Sequence, residues 1–255
     1  MSWPGRCKLL GVEITPLTIS QLHGVITQAI EEKRRWIIAN HNLHSVYIYH
    51  HDPKMRSFFA RAHFAHIDGM PLVFIGKLFG HNLTREQRVT YVDWIRPLMA
   101  ESLANGWRIF YLGSMPGVAE NAAVILRQEF PGLQIATFHG FFDTSLQKCE
   151  NEEVLSRIND YQPHILMVGM GMPRQERWIL DNFEKIRANV ILPAGACFDY
   201  VAGAVPTPPR WMGRMGLEWL YRLVSEPTRL WRRYLLEPCF ILKLLVQERL
   251  FGAKE

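Results

Sequence analysis

The fold is decided by residues 164–178, which are His164-Ile-Leu-Met-Val-Gly-Met-Gly-Met-Pro-Arg-Gln-Glu-Arg-Trp178. The apolar run at residues 165–168 is typical of a buried parallel strand. Gly169 and Gly171 then allow a tight turn that comes close to a ligand, and Pro173 suits the first position of a helix. Because a helix N-terminus attracts anions, this turn is a candidate phosphate site. An ordinary strand-to-helix turn is the alternative.

Position 174 is Arg, so the third glycine of a dinucleotide-binding turn is missing and NAD is not favoured. The rest of the chain repeats the same alternation of strand and helix. After a first short strand at residues 8–14, strands are predicted at residues 36–40, 64–67, 108–112, 133–138, 165–168 and 189–193. Helices lie between them, and the last strand is expected to close the sheet. This alternation predicts an α/β fold with a doubly wound, mostly parallel, Rossmann-like sheet.

A change of composition near residue 205 divides the chain. With 255 residues and 48% hydrophobic content it fits one or two domains. Pro206, Pro208 and Pro209 mark the boundary between a core at residues 1–205 and a helical, basic appendage at residues 206–255. From residue 210 onward nine Lys or Arg stand against five Asp or Glu, so +4 of the net +5 lies there. The nearly neutral body argues against nucleic acid as a partner.

The appendage has the composition of a segment that lies on a membrane. Trp211, Trp219 and Trp231 are interleaved with arginine, which suits an interfacial helix, and the apolar run at residues 240–246 is too short to span a bilayer. A helical hairpin packed on the core is the alternative. We find no signal-peptide pattern and no CxxC among the four cysteines, so the sequence predicts a cytoplasmic protein on the inner face of the cell membrane.

Polar residues gather at the predicted carboxyl ends of the strands, where ligands of such sheets bind. They are Asn40, Asn42, Asp68, Gly113, residues 169–175 and Asp199. Asp68 directly follows a strand and is a candidate general base towards a sugar hydroxyl. Its alternative role is to cap the helix at Met70. The sequence has no HExxH and no Asp-x-Asp, so no metal site is predicted. If a nucleotide-sugar binds, arginine and helix N-termini must neutralise its pyrophosphate.

These residues together resemble the WecG/TagA/CpsF glycosyltransferases, the N-acetylmannosaminyltransferase-like family. The resemblance runs over almost the whole chain. Its two most specific markers are the strings Gly169-Met-Gly-Met-Pro-Arg-Gln-Glu176 and Gly216-Leu-Glu-Trp-Leu-Tyr-Arg222, the second followed by Pro227. The other markers are Asn42, Asp68-Gly69, Arg88-Val89, Leu112-Gly113, Pro116-Gly117, Gly140-Phe-Phe142, Gly195 and Phe198-Asp199.

The resemblance implies an inverting, metal-independent transfer of N-acetylmannosamine or a related hexose in surface polysaccharide biosynthesis. The donor would be a UDP-sugar and the acceptor a polyprenyl-diphosphate-linked sugar, and no cofactor is expected. Asp68 would be the base, and Arg222, Arg229 and Arg232 of the appendage would fold over the donor diphosphate. The predicted binding residues are Asn40, Asn42, Arg88, Gly113, Gly169, Gly171, Gln175, Asp199, Arg222, Arg229 and Arg232. We also expect Arg233, Lys243 and Arg249 to face lipid headgroups.

Four residues, at three sites in the sequence, depart from the family pattern. Asn40 stands where many members have Thr, Tyr91 where Gly is usual, and Thr207-Pro208 where Arg-Ala is common. Because the first two are predicted near the sugar pocket, the identities of the donor and acceptor sugars stay open, as does a homo-oligomer. A nucleotide-dependent oxidoreductase and a non-catalytic membrane-surface scaffold are the competing interpretations.

Overall fold

The structure is a computed structural model that describes residues 3–146 and 148–251. It opens with a small antiparallel hairpin of two strands, β1 (Cys7–Leu9) and β2 (Val12–Ile14). The sequence predicts one strand across residues 8–14, and this is wrong. Leu10 and Gly11 have φ values of 49° and 91°, so the backbone turns between the two strands.

The main sheet has six strands that are all parallel. They are β3 (Trp36–His41), β4 (Phe64–Ile67), β5 (Ile109–Gly113), β6 (Ile135–Phe138), β7 (Ile165–Gly169) and β8 (Val190–Pro193). Their spatial order is β4-β3-β8-β7-β5-β6. The predicted doubly wound, Rossmann-like α/β fold is therefore confirmed. The expectation that the last strand closes the sheet is wrong, because β8 lies between β3 and β7 and so joins the two halves.

Helices cover both faces of the sheet. In the first 205 residues they are α1 (Ile19–Glu31), α2 (Leu43–His51), α3 (Pro53–Arg61), α4 (Met70–Leu78), a 3₁₀ turn (Arg85–Gln87), α5 (Tyr91–Ala104), α6 (Val118–Glu129), α7 (Cys149–Tyr161), α8 (Arg174–Asn182) and α9 (Cys197–Val201). Along β7, Leu166 and Val168 pack into one apolar cluster, while Ile165 and Met167 pack into the other. Burial on both faces explains why this strand is apolar at every position.

The tail, which is the appendage that begins at residue 206, consists mainly of helices over its described residues. It contains α10 (Arg210–Met215), α11 (Glu218–Ser225), α12 (Pro227–Leu235) and α13 (Glu237–Phe251). The last of these packs against α2: the Phe240 ring lies 5.5 Å from the Tyr47 ring and 4.6 Å from the His51 ring. Ile241 is buried within the core cluster on that side of the sheet. The tail is thus attached to the core through α13, at the edge formed by β3 and β4.

Candidate functional site

Asp68 lies at the carboxyl end of β4, where two amide side chains hold its carboxylate. Asn42 donates from Nδ2 to Asp68 Oδ2 at 3.2 Å, and Asn40 donates to the same oxygen at 3.4 Å. Asn42 is fixed in turn, because it is the N-cap of α2 and forms a reciprocal capping box with Ser45. One end of the Asn42 amide therefore begins a helix while the other end orients the carboxylate.

The alternative role of Asp68 as a helix cap is not supported. The N-cap of α4 is Gly69, with φ of 135°, and no side chain caps this helix. Burial instead raises the pKa of the Asp68 carboxyl, while Arg222, Asn42, Arg88 and Arg233 oppose that rise. A partly desolvated carboxylate is a stronger base than a surface aspartate, and the surrounding donors still favour its ionised form.

A cavity of about 440 Å³ opens beside Asp68, between the core and the tail. Its charged and apolar linings come from both parts of the chain. The charged residues are Asp68, Arg88, Glu218, Arg222, Arg233 and Glu237. The apolar ones include Met70, Pro71, Leu72, Trp219, Pro238 and Ile241. The tail therefore completes the cavity that the core begins.

The three arginines of this cavity differ in their partners. Arg88 is paired with two carboxylates, with Nη1 at 3.0 Å from Asp93 and Nη2 at 2.6 Å from Glu218. Among the described residues, neither Arg222 nor Arg233 has a carboxylate within ion-pair distance, and Arg222 Nε is buried without a hydrogen-bond partner. Because buried cations are normally paired, these two arginines provide unused capacity for an anion. Arg88 instead holds α11 in place.

A second polar contact ties the tail to the core at the cavity wall. His44 Nδ1 lies 2.9 Å from both carboxylate oxygens of Glu237, the first residue of α13. Burial lowers the pKa of His44 against the opposing effect of Glu237, so a neutral imidazole donates its Nδ1–H to the carboxylate. Neither residue was predicted from the sequence.

The glycine turn after β7 is filled by its own chain. Gln175 is buried, and its Oε1 accepts from the backbone N–H groups of Gly171 and Gly195, each at 3.1 Å. Gly169 has no room for a side chain, because a Cβ there would overlap the Tyr111 hydroxyl. Packing thus accounts for Gly169, and the Gly171 N–H is already used. Phosphate binding by this turn stays a prediction.

Two further predicted residues are Gly113, the last residue of β5, and Asp199, which lies in α9 after β8. Asp199 Oδ2 accepts from Ser114 Oγ at 3.1 Å, and Ser114 also lies 3.0 Å from the Tyr111 hydroxyl. Gly113 pairs with Gly169 in the register of β5 and β7, so close that a Cβ at Gly113 would overlap the Gly169 backbone. Gly113 and Asp199 lie at the same edge of the sheet as Asp68 but do not line the cavity.

The structure reverses the expected positions of two adjacent arginines. Arg232 is exposed and lies over the Trp231 ring at 5.3 Å, whereas Arg233 lines the cavity. The side chain of Arg229 lies outside the described part of the structure. Leu230 is buried, and Arg233 lies three residues further along α12 on the same side of the helix, but this burial is a tertiary contact that the sequence does not show.

Fold and cavity together define a doubly wound α/β protein with a ligand site at the carboxyl edge of its sheet, completed by a helical tail. The profile of the family described as "Glycosyl transferase WecG/TagA/CpsF family" matches residues 7–255. The chain belongs to this family.

Curated relatives carry a more specific description. Proteins of Staphylococcus aureus strains MW2 and NCTC 8325 / PS 47, both described as N-acetylglucosaminyldiphosphoundecaprenol N-acetyl-beta-D-mannosaminyltransferase, are each 28% identical to the chain over 162 residues. The match covers 64% of this chain and 61% of each relative. The chain is therefore similar to these enzymes over about three fifths of their length.

The described part of the chain contains neither a membrane-spanning helix nor a cluster of metal-binding side chains. None of the helices within residues 3–146 and 148–251 combines the length and the apolar character needed to cross a bilayer. Over the same residues, no group of three or more His, Cys, Asp or Glu side chains is placed to hold a metal ion.

Proposed function

We propose that the protein is an inverting glycosyltransferase. It transfers N-acetylmannosamine or a related hexose from a UDP donor to a polyprenyl-diphosphate-linked N-acetylglucosamine. The observation that carries the proposal is the placement of the Asp68 carboxylate, held by two asparagines, in one cavity with two arginines that have no ion-pair partner among the described residues. The names of the similar Staphylococcus aureus enzymes support the choice of sugar and acceptor.

In the proposed reaction, Asp68 accepts the proton of the acceptor hydroxyl as its oxygen attacks the anomeric carbon of the donor. The bond from that carbon to the donor's phosphate oxygen breaks at the same time, and UDP leaves with the bonding electron pair. A single displacement from the opposite face inverts the anomeric centre. The raised pKa of Asp68 supports this role, because a more basic carboxylate accepts a proton more readily.

The departing diphosphate gains negative charge, and Arg222 and Arg233 are the groups we assign to meet it. Both line the cavity with Asp68, and arginine binds phosphate oxygens through paired N–H donors. Stabilising charge that develops on the leaving group lowers the barrier directly. With arginine in this role, the transfer proceeds without a divalent ion.

We further propose that the protein acts at the inner face of the cell membrane, where the lipid-linked acceptor would be found. Several large apolar residues of the tail are exposed, including Trp211, Met215, Val224, Leu235 and Leu236. Such a surface, next to basic side chains, suits reversible attachment to an anionic membrane.

The experiment is incubation with a panel of UDP-sugars and N-acetylglucosaminyl diphosphate carried on a short isoprenoid chain, with detection of products by mass. We expect one UDP-N-acetylhexosamine to give a product one sugar residue heavier than the acceptor. A folded protein that transfers no sugar from any UDP donor would contradict the proposal.

The same assay tests the role of the arginines. An excess of EDTA is expected to leave the transfer rate unchanged, because the diphosphate charge is met by guanidinium groups. A rate that is lost with EDTA and restored by Mg²⁺ or Mn²⁺ would show that a metal ion neutralises the diphosphate instead.

A further inference from the structure

The core helix α4 carries an apolar row that leads out of the cavity. Met70, Phe74 and Leu78 are spaced four residues apart and therefore lie along one side of the helix. Met70 lines the cavity and is 6% exposed, whereas Phe74 and Leu78 are 56% and 61% exposed. The row runs about 12 Å along the helix, from the cavity to the surface.

The row is continuous with the cavity lining. Gly216, which lines the cavity, lies against both of its first members: a Cβ built there would be 3.4 Å from Met70 Cβ and 4.0 Å from Phe74 Cε2. Trp219, three residues further along the tail, lines the same cavity and is partly exposed. Apolar side chains from the core and the tail thus line the same cavity, and the row on α4 continues from it to the surface.

The chemistry of the cavity selects its occupant. In the proposed reaction Arg222 and Arg233 meet the donor's diphosphate, whereas Met70, Pro71 and Trp219 present an apolar wall in the same cavity. A nucleotide-sugar has no hydrocarbon chain to cover that wall. The lipid-linked acceptor has such a chain directly beyond its diphosphate, and the row continues the wall from the cavity to the surface.

We propose that Met70, Phe74 and Leu78 of α4, together with Trp219 of α11, form a track that binds the first isoprene units of the lipid-linked acceptor as its chain leaves the cavity. The proposal rests on the proposed function and names the part of the acceptor that this surface recognises. The core itself, and not the tail alone, then contacts the lipid.

The test compares the binding of farnesyl diphosphate with that of inorganic diphosphate by calorimetry, without donor, detergent or vesicles. The variant is Phe74→Gln with Leu78→Gln, because glutamine preserves helix propensity and both positions are exposed. We expect the native protein to bind farnesyl diphosphate more tightly than inorganic diphosphate. The double variant should lose roughly tenfold of that preference, equivalent to about 1.4 kcal/mol, with its affinity for inorganic diphosphate unchanged.

Val124→Gln provides the matched control, since Val124 is an exposed apolar residue on α6, which packs at the other end of the sheet. It should behave as the native protein does. A double variant that keeps the full preference for farnesyl diphosphate would overturn the proposal. If that variant also no longer binds vesicles of anionic phospholipid, the row contacts the bilayer and not the acceptor chain.

The binding test is independent of catalysis. A protein that prefers farnesyl diphosphate through Phe74 and Leu78 yet transfers no sugar would refute the proposed function and support the track. A protein that transfers sugar but binds the two diphosphates equally would do the opposite.

Discussion

Glu176 is a buried carboxyl with an incomplete set of partners. Its Oε1 accepts from Gln175 Nε2 at 2.7 Å, while its Oε2 is buried with no hydrogen-bond partner in the described part of the chain. Burial raises the pKa of Glu176 to about 7. Gln175 bonds to the turns after β7 and β8, and Glu176 accepts from Gln175. Glu176 therefore helps to fix the side chain that links these two turns.

Glu176 should make the free energy of unfolding depend on pH. Because its pKa is higher in the folded state, the folded protein retains this proton between about pH 4.5 and 7 while the unfolded chain loses it. Stability therefore falls as pH rises through this window, by up to roughly 3 kcal/mol at 1.36 kcal/mol per pKa unit.

Urea unfolding of the native protein and of Glu176→Gln, at pH 5 and at pH 8, measures this contribution. Glutamine cannot ionise, so the variant should lose less stability between the two pH values. Equal losses in both proteins would mean that Glu176 is already ionised at the lower pH in the folded state.

At the scale of elements, α12 decides which tail arginine reaches the cavity. Arg232 and Arg233 are adjacent in sequence, but helical rotation turns one outward and the other towards Asp68. The resemblance and the charge count indicated that arginines of this segment matter, but not which of them faces the cavity. The phase follows from the burial of Leu230, a tertiary contact that local sequence does not determine.

The adjacent arginines give a matched pair of variants. Arg233→Gln removes a cavity cation and should lower kcat/KM about 10²-fold or more, as expected for loss of a group that stabilises transition-state charge. Arg232→Gln removes an exposed cation and should change kcat/KM less than about threefold. Steady-state kinetics on a soluble short-chain acceptor measure kcat/KM for both variants. A larger loss for Arg232→Gln than for Arg233→Gln would contradict the placement of α12.

The site was predicted unevenly from sequence, for a physical reason. Asp68, Asn40 and Asn42 come together as expected, because the ends of adjacent parallel strands must meet at one edge of the sheet. His44 and Glu237 were missed because they are 193 residues apart and meet only where the tail folds back. The six strands of the main sheet were each predicted from local alternation, whereas the inner position of β8 depends on pairing between distant strands.

At the scale of the whole molecule, the tail has two different relations to the core. Exposed apolar residues occur on all four helices of the tail, but Ile241 of α13, only 4% exposed, joins the core cluster. Removal of everything after residue 206 would therefore uncover apolar surface on α2 as well as open the cavity.

Two neighbouring residues of α13 test this attachment. Ile241→Ala should lower the free energy of unfolding by roughly 2–5 kcal/mol, as for other core positions. Leu242→Ala, at a position 61% exposed, should change it by less than about 0.5 kcal/mol. Chemical denaturation measures both, and equal small effects would show that α13 is not part of the cooperative core.

The measurement that tests the central claim most directly is the turnover of Asp68→Asn, with UDP affinity determined in parallel. Asparagine preserves the shape of Asp68 but cannot accept the proton, so we predict a kcat about 10²–10⁴-fold below that of the native protein, with UDP binding retained. Asp181→Asn, at a surface residue paired with Lys54, is the control and should turn over normally. Near-native turnover by Asp68→Asn would contradict the account, because the transfer would then proceed without the base on which it depends.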